Sequence, residues 1–113
     1  MHRVEEETCD LIAAIKESRE YSQYHWLYSE IKREGKLLKD INAFRRRRFE
    51  LEMAEVEEGL EAQRKLAAEF DRLLIDPLAA QFLSAEHNYC KMIRQAVYRI
   101  TECLDIEIDF LEE

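Results

Sequence analysis

Three cysteines (Cys9, Cys90, Cys103) and three histidines (His2, His25, His87) are the side chains best suited to hold a borderline metal. His87 and Cys90 stand three residues apart, on one face of a helix, and together offer two ligands. Cys103 follows Cys90 by 13 residues, which turns it about 220° around a helix and away from that pair. Cys9 belongs to another element, so four ligands would have to be shared between subunits. Free cysteines are commonly small buried apolar residues, and that reading is preferred. No metal or other cofactor is expected; a redox- or metal-sensing (iron–sulfur) module built on these residues is the alternative.

A second group is the run Arg45-Arg46-Arg47-Arg48. Basic clusters contact phosphate, which makes RNA contact a weaker alternative. Four consecutive helical positions sweep about 300°, however, and do not all face one ligand. No aromatic residue interrupts the run, and the chain carries 25 acidic against 17 basic residues, a net charge of −8. Such a balance repels nucleic acid and anionic membranes at long range. Arg46 and Arg48 are in reach of Glu50 and Glu52 at i+4, so a solvated face, or an interface for an acidic helix, is the expectation.

The third group is aromatic: Tyr21, Tyr24, His25, Trp26 and Tyr28. They suit a ligand pocket, but Tyr and Trp also serve cores and protein interfaces, where an apolar body and a polar tip are both used. Trp26 and Tyr28 are the candidate anchors. Catalytic patterns are missing. The histidines are scattered, no Gly-rich phosphate loop occurs, no serine sits in a Gly-x-Ser-x-Gly turn, and paired Glu-x-x-His motifs are absent. An enzyme is not expected.

The elements that position these residues are helices. Two glycines (Gly35, Gly59) and one proline (Pro77) punctuate the whole chain, too few for a sheet of many strands. The expected fold is all-α, a single domain of about four to five helices. Val4, Thr8, Leu11, Ile12 and Ile15 stripe the first helix, and Ser18 is a candidate N-cap beyond a break near Glu17–Glu20. Tyr21, Tyr24, Leu27, Tyr28 and Ile31 stripe the second, with Gly35 as its stop. Phe49, Met53, Val56 and Leu60 are spaced 4, 3, 4 like a coiled-coil seam, with a tight turn expected at Gly59. Leu66, Phe70, Leu73 and Leu74 form one further segment. Asp76 and Pro77 read as N-cap and first position of a long final helix.

That helix is uninterrupted by Gly or Pro to Glu113, and Phe82, Ala85, Tyr89, Met92, Ala96, Ile100 and Phe110 hold one face apolar. It would run about 50 Å, against a radius of gyration of about 13 Å for a compact chain of this size. A stripe that long needs another helix, from the chain itself or from a second copy. A homo-oligomer follows as the expectation, with Trp26, Tyr28, Phe49, Met53, Val56, Leu60, Phe82, Tyr89, Met92, Ala96, Ile100 and Phe110 as candidate interface residues. No stretch is long and apolar enough to span a membrane, the N-terminus has no signal-peptide pattern, and the unpaired cysteines suit a reducing cytoplasm.

The sequence resembles the YlbF/YmcA/YheA family of bacterial cytoplasmic proteins. The resemblance is carried by Ile12, Ile15, Ser18, Tyr21 and Tyr24, by Leu38, Ile41 and Phe44, and by Phe82, Ala85 and Glu86. It implies an all-helical bundle that oligomerises through long helices. It also implies an adapter without catalytic activity, working with related members or other proteins in competence, sporulation, biofilm formation or mRNA processing. The cysteine-rich tail with which some members hold an iron–sulfur cluster is absent here, and the segment between Phe44 and Phe82 is shorter.

Overall fold

The computed structural model describes residues 2–53 and 59–104. Six helices account for nearly all of them: α1 (His2–Lys16), α2 (Arg19–Lys32), α3 (Gly35–Met53), α4 (Gly59–Glu69), α5 (Asp71–Ile75) and α6 (Pro77–Cys103). The fold is all-α with a long C-terminal helix, and there is no strand among the described residues.

Local chemistry sets the boundaries. Ser18 is extended (φ −74°, ψ 155°), and its hydroxyl accepts from the Tyr21 N–H at 3.2 Å, which caps α2. Asp76 does the same for α6: its Oδ1 accepts from the Leu78 and Ala79 N–H groups, both at 3.0 Å. Pro77 follows at the first helical position, where a missing N–H costs nothing. Gly35 opens α3 rather than closing α2, and the chain turns over Arg33–Glu34. The single segment expected around Leu66–Leu74 is divided, because Phe70 (φ −113°, ψ 27°) leaves the helical region between α4 and α5. Its ring turns edge-on to Phe44, with centroids 5.4 Å apart. That packing offsets the break and explains the sixth helix. Gly59 begins α4; the turn expected before it, and Val56, lie outside the described residues. So do the residues after Leu104, including Phe110.

The main contact is between α2 and α6. The pairs Tyr21–Tyr89 and Tyr28–Phe82 show that the two helices run antiparallel. Helix α5 also lies on α6, while α3 packs on α2 and α4. The core is small: Leu27 and Ile31 of α2, Ile41 and Phe44 of α3, Leu66, Leu73, and Ala79, Phe82 and Ala85 of α6. Helix α1 contributes no buried residue.

The molecule is a plate, 48 × 39 × 16 Å, with a radius of gyration of 17.7 Å where a compact chain would have about 13 Å. Its accessible surface is 9483 Å², against about 6,600 Å² for a compact monomer of this mass.

Candidate interaction surfaces

The first surface begins with a buried charge. Glu86 is the one charged residue in the core of the described residues, 7% exposed. It occupies the apolar stripe of α6, four residues after Phe82. A lone carboxylate there would lose its hydration without compensation. Two arginines from α3 supply it: Arg45 Nη2 lies 2.7 Å from Oε2, and Arg48 Nη2 donates to Oε1 at 2.8 Å. Residues 41, 44, 45 and 48 share one face of α3, so the arginines extend the same face that buries Ile41 and Phe44. Each guanidinium also covers an aromatic ring, Arg45 over Phe82 at 5.6 Å and Arg48 over Phe44 at 5.4 Å. Planar, weakly hydrated guanidinium suits this double role better than an ammonium would.

Tyr24 of α2 adjoins this group. Burial raises its hydroxyl pKa above the usual value near 10, and the neighbouring Arg45 partly offsets that shift. Its ring lies between Phe82 (5.3 Å) and Tyr89 (5.1 Å).

Helices α3 and α6 approach one another less closely than α2 and α6 do, and the ionic bridge spans the gap. An open groove of about 730 Å³ follows it, lined by Asn42, Arg45, Arg46, Arg48, Phe49, Glu52, Glu86, His87, Cys90 and Arg94. Four guanidiniums face two carboxylates there, so the groove is locally positive on an acidic chain. Within the described residues, Arg46 and Arg94 carry no ion pair. The arginine run therefore divides its work. Arg48 pairs across the fold instead of with Glu52, and Arg47 faces Glu50 (3.9 Å) and Glu69 (3.6 Å). Sequence reasoning missed the Arg–Glu–Arg bridge. The available signal was an acid on the apolar stripe of one helix and two bases on the buried face of another.

The second surface is apolar and divided between two helices. Val4, Leu11 and Ile12 of α1 are exposed, as are Val97, Ile100 and Leu104 at the far end of α6. Helix α1 carries Glu5, Glu6, Glu7 and Asp10 against Arg3 and Lys16, whereas α6 beyond Cys90 carries Lys91, Arg94 and Arg99 against Glu102. The two faces are complementary in charge.

The remaining candidate interface residues divide by burial. Trp26 is 61% exposed beside a shallow depression formed by Gln23, Leu27, Gln81 and Ser84. Phe49, Met53 and Leu60 are exposed. Phe82 is wholly buried in the chain's own core, Tyr28 packs on it and on Tyr24, and Tyr89 packs on Tyr21 and Tyr24. Their area is already used within one chain. Met92 and Ala96 are half-buried. Cys9, Cys90 and Cys103 are all exposed thiols. No cluster of three or more His, Cys, Asp or Glu side chains fit for a metal occurs among the described residues. Nor is any helix among them long and apolar enough to cross a membrane.

Comparison with known proteins gives one result that covers this whole assembly. The sequence pattern of the family described as control of competence regulator ComK, YlbF/YmcA, matches residues 4–105. No curated protein and no solved structure matches the chain.

Proposed function

Because the chain belongs to the YlbF/YmcA family, described as controlling the competence regulator ComK, we propose that it is a non-enzymatic, cytoplasmic adapter acting through self-association and protein–protein contacts. Competence control, and with it sporulation, biofilm formation or mRNA processing, is the setting in which such an adapter works.

The observation that carries this reading is the unburied apolar face of α1 together with the distal face of α6. An amphipathic helix gains little in water unless its stripe is covered. Helix α1 has a regular stripe with no fully buried residue: Val4, Leu11 and Ile12 are exposed and only Ile15 is half-buried. The surplus of accessible surface over a compact monomer, roughly 3,000 Å², is more than an ordinary stable interface of about 1,600 Å² requires. A second copy supplies the cover: the acidic α1 of one protomer lies along the basic end of α6 of the other, and reciprocally. Opposite charges then meet around an apolar seam, an arrangement that favours this register over others.

Sedimentation equilibrium tests it. The expected result is a dimer or larger oligomer at micromolar concentration, shifted toward monomer by Leu11→Glu with Ile100→Glu. Since both positions are exposed in one chain, these changes should leave helicity intact. A compact monomer at the same concentration refutes self-association.

A further inference from the structure

We propose that the groove between α3 and α6 is a docking site for an acidic peptide segment of a partner protein. The inference deepens the adapter reading by assigning a chemistry to what is held, and it uses a surface that shares only Arg94 with the basic end of α6.

The groove is positive where the chain as a whole is not. The chain carries −8, yet the groove gathers Arg45, Arg46, Arg48 and Arg94 around Glu52 and Glu86. Glu86 is already spent, because both its oxygens are bound. It acts as a fixed post: it holds Arg45 and Arg48 in one conformation and leaves their other N–H groups directed elsewhere. A guanidinium has five donors; Arg48 engages one nitrogen here, and Arg45 engages two, Nη2 on Glu86 and Nη1 on Asn42 Oδ1 at 3.2 Å. Pre-oriented guanidiniums bind a carboxylate with less loss of side-chain entropy than free ones. Arg46 and Arg94 then flank them on the two walls with no ion pair among the described residues.

Peptide carboxylates fit this arrangement better than a nucleic-acid backbone. The cations lie on two walls of an open cleft instead of following a continuous track, and the field of the acidic chain penalises a polyanion more than a segment with a few carboxylates. Glu52 on the rim would repel successive phosphates, whereas a peptide offers N–H groups for it to accept. Phe49, 61% exposed, offers an apolar contact. Beyond Arg48, Glu52 and His87 the groove continues into a second hollow with Phe44, Leu51, Leu66 and Leu74 on its walls. Carboxylates on one side and apolar side chains on the other describe an acidic amphipathic helix.

The experiment titrates the full chain with a synthetic helical peptide of alternating Glu- and Leu-bearing turns, with its Lys-for-Glu counterpart and with a single-stranded RNA oligomer. Amide and arginine side-chain NMR shifts report the location. The expected result is binding of the Glu peptide in the micromolar to near-millimolar range, with shifts centred on α3 and α6 and weakening as salt rises. Arg46→Glu with His87→Glu should reduce that affinity about tenfold or more, while thermal unfolding and sedimentation stay unchanged. Both positions are exposed and lie outside the Glu86 bridge and the α1 seam. No binding of the Glu peptide at about 1 mM, equal binding of the Lys peptide, indifference to the double change, or tighter binding of the RNA overturns the proposal. Failure here leaves the sedimentation result standing, so the two ideas fall separately.

Discussion

Replacing Glu86 with Ala should be among the most damaging single changes outside the apolar core. The substitution removes one carboxylate and strands two guanidiniums beside a site that was 7% exposed. Each charge-assisted hydrogen bond contributes about 1.5–3 kcal/mol in protected surroundings. Arg45 and Arg48 are 33% and 39% exposed, so both regain part of their hydration, and the lower end of that range applies. The expected loss is about 2–3 kcal/mol, or about 10 °C in Tm for a chain of this size. Urea and thermal unfolding, followed by helical circular dichroism at one fixed low protein concentration, read it directly. Salt separates this bridge from an ordinary surface pair. At about 1 M salt the screening length falls to about 3 Å, which erases exposed pairs but leaves a desolvated one largely intact. The Glu86→Ala deficit should therefore persist there. A loss below about 0.5 kcal/mol, within the range of surface substitutions, refutes the view that this bridge ties α3 to α6.

Other changes test other links. Asp76→Ala leaves the Leu78 and Ala79 N–H groups without their acceptor and should cost about 1 kcal/mol, seen as a lower urea midpoint at unchanged slope. Phe82→Ala empties the centre of the core, where Phe82 is 0% exposed, and should cost about 3–5 kcal/mol; for so small a core, loss of cooperative unfolding is the expected readout. Tyr24 gives a pH test. Its hydroxyl titrates higher in the folded chain than in the unfolded one, so its contribution is complete below pH 10 and fades as pH climbs from about 10 through the folded value. Tyr24→Phe should accordingly lose less stability than the parent over that alkaline interval, measured as the difference between their urea midpoints. Finally, Cys9, Cys90 and Cys103 are all exposed, and all three should titrate with a thiol reagent in the native protein. Protection of two or more that a chelator relieves would instead favour a metal shared between subunits.

The helices were legible because helix signals are local. Ser18, Asp76 and Pro77 act within four residues of themselves, so their roles as caps and first position could be read from sequence. The apolar stripes of α2 and α6 were legible for the same reason, since periodicity alone says which face seeks cover. Phe70 was not: its backbone leaves the helix to meet Phe44, 26 positions earlier in the chain, and nothing near it in sequence announces that partner.

The sequence by itself determined the helical class, the overall charge and the existence of more apolar stripe than one small chain can cover. Only the tertiary structure decided which stripe stays uncovered. Phe82, Tyr28 and Tyr89 turn inward because α2 lies antiparallel on α6, and the seam left open moves to α1 and the end of α6. The tertiary structure also gave the arginine run its meaning. In sequence, Arg48 has Glu52 of its own helix within reach at i+4, whereas Arg45 has no acid three or four residues away. In the fold they turn to Glu86, 38 or more residues away, because a carboxylate stripped of water attracts them more strongly than one that keeps its hydration.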